Sequence, residues 1–235
     1  MATWMRWLGV EVDEVSTKEK AVSGLGGFVA IGILMLITRD ALDLHGASMV
    51  IASMGASAVL LFAVPHGQLS QPWPVVAGHV TSALIGVTAA EMIGSIELAA
   101  AVAVGAAIGA MHVLKCIHPP GGATALTAVV GGPAVYDLGF QFVVRPVLLN
   151  AVAMVMLAVA FNAMFAWRRY PAAANKPSPG SVAGGPSHAD VLAALRSIDS
   201  FVDITETDLV RLVALLSDPV EEDQVAISAP RPTAR

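Results

Sequence analysis

Between residues 22 and 167 the chain is a succession of six apolar runs, and charge is confined almost wholly to the joints. The runs cover 22–37, 47–64, 75–94, 98–114, 119–130 and 142–167, and inside them stand only two formal charges, Glu91 and Arg145. A helix that crosses the hydrocarbon layer needs about 20 apolar residues. A soluble domain of this length has no single core large enough to hide six such runs. Charged residues make up 13% of the chain, against about 25% in an ordinary soluble domain. The solvent that resolves the conflict is a lipid bilayer, and the expected fold is all-α: a polytopic membrane helix bundle.

Length makes one run anomalous. The fifth, 119–130, extends only about 18 Å at ~1.5 Å per residue, too short to span as a straight helix. Non-helical or broken backbone is tolerated at depth only where it is buried in protein or lines a cavity. The chain therefore makes six crossings, or four crossings plus re-entrant pieces. Arg6, Lys18 and Lys20 flank the first run and Arg168, Arg169 and Lys176 follow the last. By the positive-inside rule both termini are expected to be cytoplasmic, here at a bacterial inner (plasma) membrane, which requires an even number of crossings. Trp4 and Trp7 are expected as interfacial anchors. The first twenty residues, with acids scattered through them and no small-residue cleavage pattern, are not expected to be a cleavable signal. Ser16 and Glu19 have capping-box spacing for the first helix.

Composition changes after the membrane region. We expect a transmembrane domain over 1–170 and a flexible linker over 171–186, "PAAANKPSPGSVAGGP". A small soluble helical hairpin follows over 187–217, where "HADVLAALRSI" and "TETDLVRLVALLS" show helical apolar spacing and Thr205 and Asp208 offer a second cap. Residues 218–235 are expected to be a disordered tail.

The anomalous run begins "CIHPPGGATALTAVV" (116–130). Proline suits the first helical turn, where its missing N–H is not needed, so Pro119 and Pro120 mark a helix start with His118 at or just before the cap. Gly121 and Gly122 leave backbone amides unshielded at a helix end that carries partial positive charge, and Thr124 adds a hydroxyl. In a membrane interior this suits a small anion. An echo lies upstream: "GASAVLLFAV" from Gly55 matches "GATALTAVV" from Gly122, with Ser57 opposite Thr124. Each copy falls in the second run of a three-run half, as in a 3+3 inverted repeat, where interrupted segments at matching positions mark the substrate site. A second helix start near Gly55, with Ser57, would face the first. Ionisable groups in membrane segments are functional by default, so His118 and His79, one turn into the third run, join the candidates.

Here the sequence resembles a known family. "HPPGGATAL" resembles the signature of the HPP integral membrane family, and "MGASAVLLFAVPHGQLSQPWPVVAGHVTSALIGV" (54–87) resembles its other well-marked stretch; the likeness covers roughly residues 18–168. Plastid and cyanobacterial members are associated with nitrite transport, so the resemblance implies nitrite as substrate. The 187–217 segment resembles the connector that precedes CBS regulatory modules in bacterial members.

Several classes are excluded or disfavoured. No nucleophile–base pair, phosphate loop or zinc spacing stands in the sequence, so neither an enzyme nor a cofactor or metal is expected; His112, Cys116 and His118 form no recognised zinc pattern. No basic stripe suggests nucleic acid. Lys115 reads as an orientation marker, Gln71 as a polar contact in the 65–74 loop, and Asn150 as a helix tie or substrate contact. Gly105 and Gly109 form a small-residue face, and a homo-oligomer is expected. The expected function is a transporter or channel-like permease for a small inorganic anion, nitrite first, with His118, Gly121, Gly122, Thr124, Gly55, Ser57 and His79 binding it. The alternative is a membrane sensor or scaffold that signals through the C-terminal cytoplasmic helices.

Overall fold

A computed structural model describes residues 16–38 and 44–174, with Asp203 and Leu209 singly; side chains in the second helix are described from Ala52 onward. The chain divides into two units, 1–174 and 175–235. The expectations for Trp4, Trp7, most of the linker, the 187–217 hairpin and the tail lie outside the described residues.

All six apolar runs are helical. They form α1 (Thr17–Thr38), α2 (Leu44–Ala63), α3 (Pro72–Met92), α4 (Ile96–Val113), α5 (Pro120–Val130) and, after the one-turn α6 (Pro133–Tyr136) in the joint between the last two runs, α7 (Leu149–Ala163). Among the described residues four helices are long and apolar enough to cross a membrane: Thr17–Thr38, Pro72–Met92, Ile96–Val113 and Val143–Ala163. Pro120–Val130 and the described part of α2, Ala52–Ala63, are shorter.

The sixth run departs from a plain helix. Pro146 has no N–H to give and sits in a π-helical turn, Val143–Leu148, before α7 begins. A missing donor inside an apolar helix is absorbed by such a local change of hydrogen-bond spacing. α7 then stops at Ala163, and a 3₁₀ turn, Ala166–Arg168, follows.

The solvent inferred from composition explains the pattern of burial. On α1 only Gly26, Ala30, Leu34 and Thr38 are buried, one seam at four-residue spacing, while Phe28 and Leu36 on the other faces are exposed. α4 repeats this with Ala99, Ala103, Ala107 and Met111 inward. Apolar residues outside as well as inside are the mark of a lipid-facing helix, and α4's Gly105 and Gly109 are on the outer face with open space beside them.

α3 is the hub: it packs against α4, α5, the π turn and α7. Its contact with α5 is made close by small residues. A Cβ on Gly86 would lie 2.6 Å from the Ala125 carbonyl oxygen and 2.7 Å from Ala128 Cβ, and one on Gly121 would lie 2.7 Å from Ser82 Oγ. Gly78, Ser82 and Gly86 stand at four-residue spacing on one face of α3, so the backbones approach as small-residue faces allow in membranes. On the other side α1, α2 and α7 share a core that includes Leu34, Met54, Phe62 and Met154. Thr38 Oγ1 donates to Asn150 Oδ1 at 3.0 Å, so Asn150 ties α1 to α7.

The ends of α1 and α7 meet at Arg168. Its guanidinium is buried, Nε donates to Asn162 Oδ1 (3.1 Å), and Nη1 donates to Ser23 Oγ (2.9 Å). It also bonds the Glu19 carboxylate and the Phe62 carbonyl at the end of α2. Ser16 Oγ accepts from the Glu19 N–H at 3.2 Å, as the cap spacing predicts, while the Glu19 side chain serves Arg168 and Trp167 Nε1. Burial lowers the Arg168 pKa, and the Glu19 charge opposes that shift.

Candidate functional site

α5 owes its start to the two prolines. Pro119 is the N-cap and Pro120 the first helical residue, with His118 just before the cap. The turn that delivers His118 is made at the end of α4: Lys115 adopts φ 54°, Lys115 N–H donates to His112 O (3.2 Å) and Cys116 N–H to Met111 O (2.9 Å). This is a Schellman ending with lysine in the left-handed position that glycine usually takes. It reverses the chain, buries Cys116 and presents His118 to α3.

Four polar side chains then converge, each from a different segment. Ser57 of α2 lies 2.8 Å from His79 Nε2 of α3 and 2.8 Å from His118 Nε2. His79 Nδ1 lies 2.7 Å from Thr124 Oγ1 of α5. His118 Nδ1 lies 2.9 Å from the Leu69 carbonyl oxygen. The two imidazoles meet edge to face with centroids 4.9 Å apart, and all four side chains are at most 1% exposed.

The chemistry of the partners fixes the protons. A carbonyl only accepts, so His118 carries hydrogen on Nδ1 and, when neutral, its Nε2 accepts. Ser57 is the donor in reach and gives it its one hydrogen. Ser57 Oγ then accepts from His79 Nε2–H, and His79 Nδ1 accepts from the Thr124 hydroxyl. The result is one directed chain, Thr124 to His79 to Ser57 to His118 to Leu69, in which each imidazole nitrogen and both hydroxyls have a partner.

Of the seven residues singled out from the sequence, Ser57, His79, His118 and Thr124 form this network. Gly121 packs at the α3 contact instead. Gly55 and Gly122 are half-buried, and a Cβ on either would meet nothing within 4 Å. Two expectations about backbone are corrected. Gly55 lies inside the continuous helix α2, so no second helix start faces the first. The Gly121 and Gly122 amides are not open donors: they bond the His118 and Pro119 carbonyls at 2.8 and 3.0 Å, because the residues before Pro120 already curl into the turn. The echo pair Ser57 and Thr124 nonetheless bonds opposite nitrogens of one histidine.

Sequence reasoning missed the loop that holds His118. Gln71 Nε2 donates to Pro65 O (3.2 Å) and Gly67 O (2.8 Å), and its Oε1 accepts from Ala172 N–H (3.0 Å). Tyr170 O–H donates to Ser70 O at 2.8 Å, and His66 Nε2 lies 3.2 Å from Arg169 O. Burial pushes the Tyr170 phenol above its ordinary range, which keeps it a donor. Residues 169–172 thus strap the 65–71 loop, whose Leu69 carbonyl orients His118. The signal in the sequence was the polar content of "HGQLSQ" in an apolar setting. His112 is exposed, and no group of metal-ligating side chains forms among the described residues.

The family described as HPP, transmembrane region, matches residues 12–171. A transmembrane protein of Dictyostelium discoideum is 36% identical over 175 residues, covering 71% of this chain and 61% of that relative. A second transmembrane protein of the same organism is 35% identical over 172 residues, covering 71% of this chain and 55% of its own length. The chain thus spans between about half and two thirds of the length of these curated relatives. No solved structure matches it.

Proposed function

The chain belongs to the HPP transmembrane family, and we propose that it is a transporter or channel-like permease for a small inorganic anion, nitrite first. The observation that carries the reading is the convergence of Ser57, His79, His118 and Thr124 at the start of a helix too short to span. Four buried hydrogen-bonding side chains among apolar spans are costly to assemble unless they serve a solute. Nitrite itself comes from the resemblance of the motifs.

The donors an anion would need are present but occupied by one another. An anion therefore enters by replacing the Thr124, Ser57 and imidazole bonds. The contact of Glu19 with Arg168 puts the start of α1 and the end of α7 on one side of the bilayer; we place that side, with both termini, in the cytoplasm of a bacterial cell. A second copy would pack on the exposed Gly105 and Gly109 face of α4.

Nitrite flux into proteoliposomes holding the full chain tests the reading, with empty vesicles as reference. Thr124→Val and His118→Ala each remove a donor. Bonds to a charged solute are worth about 1.5–3 kcal/mol, so flux at low nitrite is expected to fall roughly ten- to a hundredfold. Correctly folded protein with no anion flux would remove the proposal. The strap from Arg169–Ala172 to the loop beneath His118 favours, as a second reading, signalling through the C-terminal segment. Deleting residues 187–217 leaves flux intact if the chain is simply a transporter.

A further inference from the structure

The bonding pattern of the four side chains has a second solution. We propose that Ser57, His79, His118 and Thr124 form a one-proton store, in which a proton taken up at His79 Nδ1 is relayed through Ser57 and held on His118. The coupling of that proton to anion movement rests on the transport reading; the store itself stands on geometry.

In the neutral state the three bonds linking Thr124, His79, Ser57 and His118 all point toward His118, as derived above. Let a hydronium ion deliver a proton to His79 Nδ1. An N–H bond forms there, the Nε2–H bond of His79 breaks and its proton moves to Ser57 Oγ, and the proton Ser57 already carried moves to His118 Nε2. One water molecule is released, His79 ends neutral with hydrogen on Nδ1, and His118 ends as an imidazolium. Those three bonds now run the other way: His118 Nε2–H to Ser57 Oγ, Ser57 O–H to His79 Nε2, His79 Nδ1–H to Thr124 Oγ1. The Thr124 hydroxyl turns to the Pro120 carbonyl, which already lies 3.4 Å away. Both states fit the same heavy-atom positions, so charging the site moves hydrogens only.

The relay ends at His118 because the Leu69 carbonyl accepts a hydrogen bond but not the proton. It holds a single charge because two imidazoliums 4.9 Å apart would repel and aim two N–H groups at one serine oxygen. From α2 the pair is met by Ser57 and from α5 by Thr124, while Ser82 of α3 donates to Met111 Sδ. Among the described residues the other buried titratable groups are Cys116, Tyr170 and Arg168. Cys116 is matched with Thr81, Tyr170 donates to Ser70 O and Arg168 pairs with Glu19. No carboxylate among the described residues is buried, and arrival of an anion would be the natural complement of the stored charge.

The signature is a tautomer switch in one ring driven by protonation of the other. The full chain, labelled with ¹⁵N-histidine and held in lipid bilayers, is titrated while N–H couplings are read by solid-state NMR. At alkaline pH the expected hydrogens are Nδ1–H on His118 and Nε2–H on His79. As His118 gains its second hydrogen, the His79 coupling should move from Nε2 to Nδ1 in the same step. In Ser57→Ala the two events should separate, with His79 keeping its tautomer while His118 titrates. A wild-type His79 that holds Nε2–H throughout, or two rings that charge independently, would overturn the store; if the variant does not fold, the wild-type titration decides alone. Coupling is read apart from this, as acceleration of nitrite uptake by an inward proton gradient. A switch without such acceleration leaves the store standing and removes the coupling, and absence of all flux removes the transport reading instead.

Discussion

Replacing Gly78 by alanine asks how tightly the α3–α5 contact holds the buried histidines. A Cβ at that position would stand 2.8 Å from His118 Cβ and 2.9 Å from the Cys116 carbonyl oxygen. Carbon atoms rest at ~3.5 Å or more, so the segment bearing His118 must retreat by about 0.7 Å. The Ser57–His118 bond, 2.8 Å long, would then stretch beyond the ~3.2 Å limit of a good hydrogen bond. Overpacking costs about 1–3 kcal/mol and a buried group left without its partner about 1–3 kcal/mol more. Alanine's intrinsic advantage over glycine in a helix returns about 1 kcal/mol. The expected net loss is about 1–5 kcal/mol. Gly122→Ala is the matched control: its Cβ meets nothing within 4 Å, so only the helical gain of up to about 1 kcal/mol applies. Unfolding of both full-length variants in mixed micelles, followed by tryptophan fluorescence against rising denaturing detergent, reads the two signs. If Gly78→Ala matched the parent protein, or if both glycines shifted stability the same way, the close approach described here would be wrong.

Arg168→Met should lower stability by about 1–3 kcal/mol, because it leaves the buried Phe62 carbonyl and Asn162 Oδ1 without their donor, and the same detergent titration measures it. Lys115→Gly should raise stability by about 1 kcal/mol by relieving the left-handed backbone at the end of α4; an unchanged midpoint would argue against that conformation. Ser95 Oγ accepts from Leu98 N–H at 3.3 Å as the N-cap of α4, so Ser95→Ala should cost about 1 kcal/mol, visible as earlier unfolding.

The spans were legible because lipid imposes length and apolarity on every crossing, and both can be counted along a sequence. The four polar members of the site were legible for the same reason: a histidine or hydroxyl stands out where its neighbours are aliphatic. Their pairing was not, since which nitrogen meets which oxygen depends on how closely two backbones approach, and that is set by the absence of side chains at Gly78 and Gly86. The supposed helix start at Gly55 failed because an internal glycine in an apolar helix leaves the hydrogen-bond ladder intact, whereas Pro120 cannot. Arg168 looked like one of several flanking cations. Nothing local distinguishes it from Arg169; only the convergence of Glu19, Ser23, Asn162 and the end of α2 on one point buries the first and leaves the second outside.

The strap from Arg169 to Ala172 shifts the place where this protein can be dissected. The last spanning helix ends at Ala163, yet the Tyr170 hydroxyl and the Ala172 amide still brace the loop whose carbonyl sets the His118 tautomer. A fragment cut just past that helix would keep every crossing but lose the splint under its central imidazole. A membrane piece that keeps this splint therefore reaches at least Ala172.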